Sequence, residues 1–152
     1  MKRWHVRTAH FSSMLVVGVV VLGAAGPDRG PFFHERKEVA GLAIVFGAEP
    51  EPALHEEIQF LRWRVSTLGN ETPYTELTEA QVRITRNGQD FGPFALRGVR
   101  GTPGQYETRH IFTEPGAYES VLSFKKGEDQ TVHTVDFAFT INDRADIEIP
   151  GR

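Results

Sequence analysis

Between Tyr106 and Phe124 the chain alternates. Tyr106, Thr108, His110 and Phe112 share one parity, and Tyr118, Ser120, Leu122 and Phe124 repeat the arrangement. Each set follows a Pro-Gly pair, Pro103-Gly104 and Pro115-Gly116. Proline fixes the first central φ of a type II turn and glycine supplies the positive second one. A period of two over so many positions predicts strands with one buried face.

The same reading extends along the chain. Val39 to Phe46 is apolar on both parities and predicts a strand covered on both faces. The stretch Ala48 to Glu57 carries Pro50 and Pro52, which donate no ladder hydrogen bonds, and predicts a loop or sheet edge. In Glu57 to Thr67 the parity changes: Ile58 and Phe60 point one way, and Leu61, Trp63 and Val65 the other. A β-bulge near Phe60–Leu61 would bring all five to the core, with Arg62 and Arg64 facing water. Ala80, Val82 and Ile84 alternate with polar residues up to Asn87-Gly88, a strong hairpin signal. Gly92-Pro93 interrupts the return strand and predicts an edge. Arg97 to Gly104 reads as loop, and His133, Val135, Phe137, Phe139 and Ile141 lie on the buried parity of the last strand. Seven or eight strands, with turn signals every 8 to 12 residues or so, predict an all-β, immunoglobulin-like antiparallel sandwich. Tyr118, near a strand entrance, is positioned to be its corner tyrosine.

Composition sets the front of the 152-residue chain apart. Lys2, Arg3 and Arg7 precede the apolar run Met14 to Ala25, which ends in small residues. That is the layout of a secretory signal, cut after Ala25, or of a short retained anchor. The expected organisation is residues 1–25 as signal or anchor, 26–38 as linker, 39–141 as the sandwich and 142–152 as tail. Without the first 25 residues, 14 basic residues face 20 acidic ones, a net of −6 (17 basic less Lys2, Arg3 and Arg7). That balance argues against nucleic acid or an anionic membrane as the main partner, leaving the membrane only through an uncleaved N-terminal segment. The chain has no cysteine, and Met1 and Met14 both lie in the signal, so a mature chain has neither thiolate nor thioether to offer a metal.

The export segment, the Glu49-Pro50 loop, the strand Gln81 to Ile84 and the block Pro103 to Phe124 together resemble the YtkA-like and FixH-like group of small extracytoplasmic domains. The likeness covers roughly Val39 to Ile141. It implies an immunoglobulin-like sandwich outside the cytoplasm, with a pointer to metal handling through relatives found beside oxidase assembly or copper functions.

Four histidines follow the apolar run: His34, His55, His110 and His133. Imidazole with carboxylate suits zinc or copper(II). His110 and His133 sit on core parities and would meet if their strands were close, while His55 and Glu57 would share a face of an extended chain. The competing reading is of rim or loop histidines with ordinary hydrogen bonds. No nucleophile elbow and no phosphate-binding glycine loop occurs in the sequence. The sequence therefore leads us to expect a non-enzymatic module without a cofactor, working by contact with a protein of the cell envelope. Histidine and carboxylate metal binding, through His110, His133, His55 and Glu57, is the alternative.

Overall fold

Two-residue turns set the hairpins. Asn87-Gly88 has φ of 50° and 77°, and Ala40-Gly41 has 53° and 75°. Positive φ at both central residues is the type I′ geometry that matches the right-handed twist of paired strands. In this computed structural model, which describes residues 35–147, the first of these turns joins β4 (Leu77–Arg86) to β5 (Gln89–Ala95). The second joins β1 (Glu35–Val39) to β2 (Leu42–Glu49). The remaining strands are β3 (Ile58–Thr67), β6 (Arg97–Gly98), β7 (Gln105–Ile111), β8 (Gly116–Lys126) and β9 (His133–Ile141), followed by a 3-10 turn at Arg144–Asp146. The signal or anchor, most of the linker, His34 and the end of the tail lie outside the described residues.

The strands form two antiparallel sheets, ordered β1-β2-β3-β7-β6 and β5-β4-β8-β9. With β1 set aside, this is the order A-B-E-D against C′-C-F-G of an immunoglobulin-like sandwich. The core lies between the sheets. Leu42, Ile44 and Phe46 of β2, with Leu61, Trp63 and Val65 of β3, face Val82, Ile84, Leu122, Phe124, Phe137 and Ile141. Phe46 packs against Trp63 at 5.2 Å and Phe137 at 5.3 Å between ring centroids.

Several expectations change. Glu35–Val39 is a strand, not part of a tether, so nine strands rather than seven or eight are present among the described residues. Its charged residues are compatible because an edge strand needs only backbone pairing and one covered face. Lys37 reaches Asp136 of β9 at 2.9 Å and sits 5.5 Å from the centre of the Phe137 ring, tying the two sheets along that side.

No bulge occurs in β3. Its register with β2 runs unbroken from Leu42↔Thr67 to Glu49↔Phe60, and with β7 from Ile58↔Ile111 to Arg64↔Gln105. The inward residue ahead of Leu61 is the polar Gln59, fully buried, with its amide donating to the Leu54 carbonyl at 3.1 Å. Ile58 and Phe60 therefore face outward. The irregularities lie in β4 instead, between Thr78 and Gln81, where Glu79 has φ 49°, and against β5 between Val82 and Ile84.

The two Pro-Gly pairs also part company. Thr102 to Gln105 closes a turn through Gln105 N–H to Thr102 C=O at 3.2 Å, with Gly104 at φ 75°. Gly116, at φ 131°, is already the first residue of β8 and pairs with Ile141.

Candidate functional site

Continuous register makes the outer face of the five-stranded sheet readable row by row. Ile58 of β3 stands directly beside Ile111 of β7. The next row is Glu49, Phe60 and Arg109. Then come Gly47, Arg62, Glu107 and Arg97, and after them Arg36, Val45, Arg64 and Gln105. Arg62 organises the middle. Its guanidinium donates to Glu107 at 2.9 Å, pairs with Glu49, and lies 5.1 Å from the centre of the Phe60 ring. Partly buried and charge-assisted on two sides, it fixes three strands to one another.

The ends of this face are different. Ile58 and Ile111 are 52% and 60% exposed, and the strand register makes them a contiguous pair rather than scattered residues. Arg97 and Arg109, both exposed, form no ion pair with any described residue. Adjoining exposed apolar side chains mark contact surfaces, and arginine is enriched in protein interfaces.

Neither isoleucine stands out in the sequence. Ile58 sits on a parity that the expected bulge would have buried, and Ile111 is one residue from the buried Phe112. Only the pairing of β3 with β7 brings them together.

The histidines are dispersed. His110 lies on β7 beside Gln59, near the end marked by Ile58 and Ile111. Its ring is 4.2 Å from that of Phe94 and 6.1 Å from Phe112, and Nε2 is 3.1 Å from the Thr108 hydroxyl. Burial holds its pKa below the ordinary histidine value. His133 begins β9 opposite Phe124, whereas the Gly116 and Ile141 end of that sheet is the one nearest Phe112. The two rings thus lie in different sheets at opposite ends of the sandwich and do not converge on one ion.

His55 and Glu57 do not share a face as expected, because the chain turns at Glu56, with φ 60°, instead of running extended. His55 Nδ1 lies 3.3 Å from the Asn142 carbonyl, and Glu57 pairs with Arg144. His55 lines a shallow, open depression with Glu56, Asp143, Arg144 and Ala145, and Glu57 is not part of it. Among the described residues, no group of three or more His, Asp or Glu side chains is arranged to hold a metal ion.

Tyr118 does occupy the corner. Its ring packs edge-on to Phe112 at 4.9 Å and stacks with Phe139 at 5.6 Å, and its hydroxyl donates to the Glu114 carbonyl at 2.8 Å. Arg86, at the end of β4, donates to the Pro115 carbonyl at 2.9 Å and lies over the same ring. This is the tyrosine-corner arrangement, made four residues back along the chain. Tyr106 does a related job at longer range, donating to the Tyr74 carbonyl at 3.2 Å and accepting from Leu77 N–H at 3.3 Å.

Comparison with protein-family models, curated proteins and solved structures finds no match to this chain.

Proposed function

We propose that the protein is a non-enzymatic, extracytoplasmic immunoglobulin-like module that works by contact with another protein of the cell envelope. In this reading it is an accessory to an envelope or membrane complex, akin to the YtkA-like and FixH-like domains. The observation that carries the contact reading is the exposed Ile58 and Ile111 pair, set on an arginine-bearing sheet face. The basic start and the apolar run Met14 to Ala25 support the compartment.

A photoreactive residue placed at Ile111, with a control at Val121 on the outer face of the four-stranded sheet, tests the reading in the native cell. The expected result is one discrete cross-linked protein from the Ile111 site, identified by mass spectrometry and absent from the control. Equal labelling from both sites, or none from Ile111, overturns the proposal. N-terminal sequencing of the exported product should find a start near Gly26, and a cytosolic full-length product would defeat the export reading.

A further inference from the structure

Strand β7 is paired along its whole length with β3 but only partly on its other side. There β6 supplies two residues, pairing Arg97↔Glu107 and Gly98↔Tyr106, and Val99 N–H donates to the Gln105 carbonyl at 2.8 Å. Alternate residues of a strand send their N–H and C=O to the same side. The direction of Gln105 therefore sets that of Glu107, Arg109 and Ile111, all away from β3. On the opposite parity, the Phe112 carbonyl accepts from Glu56 N–H at 2.7 Å, on the β3 side, as this alternation requires. Just before β6 the chain crosses to the other sheet, where Leu96 N–H donates to the Ala80 carbonyl at 2.9 Å. Among the described residues, the outward backbone groups of Arg109 and Ile111 thus have no strand beside them.

We propose that this open half of β7 accepts an extended segment of the partner protein as an added strand. The segment runs antiparallel to β7, in line with β6. Its residue opposite Ile111 is apolar, completing a patch with Ile58. Two positions later, opposite Arg109, it carries a carboxylate. That position lies between Arg109 and Arg97, two guanidinium groups with no ion-pair partner of their own among the described residues. Backbone pairing supplies affinity in such strand addition, and alternate side chains supply selectivity. A second copy of this chain is disfavoured as the occupant, because an identical open edge can set only Arg109 or Ile111 opposite Arg109, never a carboxylate. The inference rests on the contact reading above and names the chemistry of the partner.

The test uses the full chain, labelled with nitrogen-15, and the synthetic peptide Thr-Val-Thr-Glu-Thr, capped at both ends. Two variant peptides carry lysine in place of glutamate, or N-methyl groups on the valine and glutamate nitrogens. The first peptide should shift the amide signals of Arg109 and Ile111 and bind about tenfold or more tighter than either variant, equivalent to about 1.4 kcal/mol. It should also lose most of its affinity for R109E and I111D chains of unchanged urea midpoint. Equal binding of the lysine peptide removes the carboxylate from the proposal. Equal binding of the N-methylated peptide removes strand addition. Concentration-dependent shifts at these amides without peptide make a second copy the occupant and overturn it, as does no binding by any peptide at about millimolar concentration. If Ile111 still cross-links a protein in cells while the peptides fail, the contact reading stands and strand addition alone falls.

Discussion

Tyr118 joins the buried core to the backbone of a corner, so its ring and its hydroxyl can be separated by substitution. Tyr118→Ala removes a ring held by Phe112, Phe139 and Arg86 and should cost about 3 to 5 kcal/mol. Tyr118→Phe removes one hydrogen bond, to Glu114, and should cost about 1 kcal/mol. Urea unfolding should rank Ala well below Phe, with the exposed Glu119→Ala near wild type; an alanine variant no worse than that control would refute the corner. His110 makes a prediction of opposite chemistry. Burial lowers its folded-state pKa from 6.5, so the unfolded chain takes up a proton that the folded ring refuses. Its neutral form then supports folding fully above about pH 6.5, and that support is lost as pH falls from there toward the depressed folded value. Urea midpoints measured from pH 7.5 to 5 should fall, and the fall should be visibly shallower in His110→Gln. A parallel fall in the two proteins would mean that other groups carry it.

At the scale of elements, the two left-handed turn glycines differ in their surroundings. A Cβ on Gly88 would meet open space, so Gly88→Ala should cost little more than its φ penalty, about 1 to 2 kcal/mol. A Cβ on Gly104 would lie 2.6 Å from the Val65 carbonyl oxygen and 3.0 Å from Pro73, both held by the pairing of β3 with the following loop. Gly104→Ala should therefore be clearly the more destabilising of the two by thermal unfolding, and equal midpoints would show that the loop yields freely. Both turns are legible in the sequence, because Asn-Gly and Pro-Gly act through local φ preferences. The phase of β3 is not. Ile58 and Phe60 offer the core as much apolar surface as the residues that entered it, and only pairing with both β2 and β7 selects Gln59 and Leu61. Strand β1 escapes notice because an edge strand of Glu, Arg and Lys has no hydrophobic alternation to display. The histidines fail for a related reason: parity tells which face of a strand a residue occupies, not which end of the sandwich the strand presents. The exposed isoleucine pair is hidden in the same way, since Ile58 and Ile111 become neighbours only through long-range register.

For the whole molecule, β1 decides which strand closes one edge of the five-stranded sheet. Strand β2 is apolar on both parities, LAIVFGAE, and most of its residues are buried. With β1 in place it is an interior strand, flanked on its other side by β3. Without β1 it becomes an edge, with a row of unpaired backbone groups next to apolar side chains on both faces, which is the usual template for edge-to-edge association. The seam to the second sheet would open as well. Lys37 is partly desolvated, which by itself lowers its pKa, yet its hydrogen bonds and charge interactions with Asp136 and Glu35 raise it overall. Asp136 is correspondingly lowered, chiefly by its hydrogen bond to Lys37. The tie is therefore complete above the acid range and below the lysine range. It is lost as pH falls through the depressed Asp136 value or rises through the elevated Lys37 value. Two chains, one starting at Gly26 and one at Leu42, separate these contributions from Lys37→Met in the longer chain. The methionine variant removes a partly exposed ion pair and should lose about 1 kcal/mol or less while remaining monomeric. The chain starting at Leu42 should lose considerably more by urea unfolding. In sedimentation it should also associate with rising concentration, because it carries a new apolar edge. A Leu42 chain that stayed monomeric, with the urea midpoint of the longer protein, would mean that β1 is dispensable and that the sandwich closes on β2.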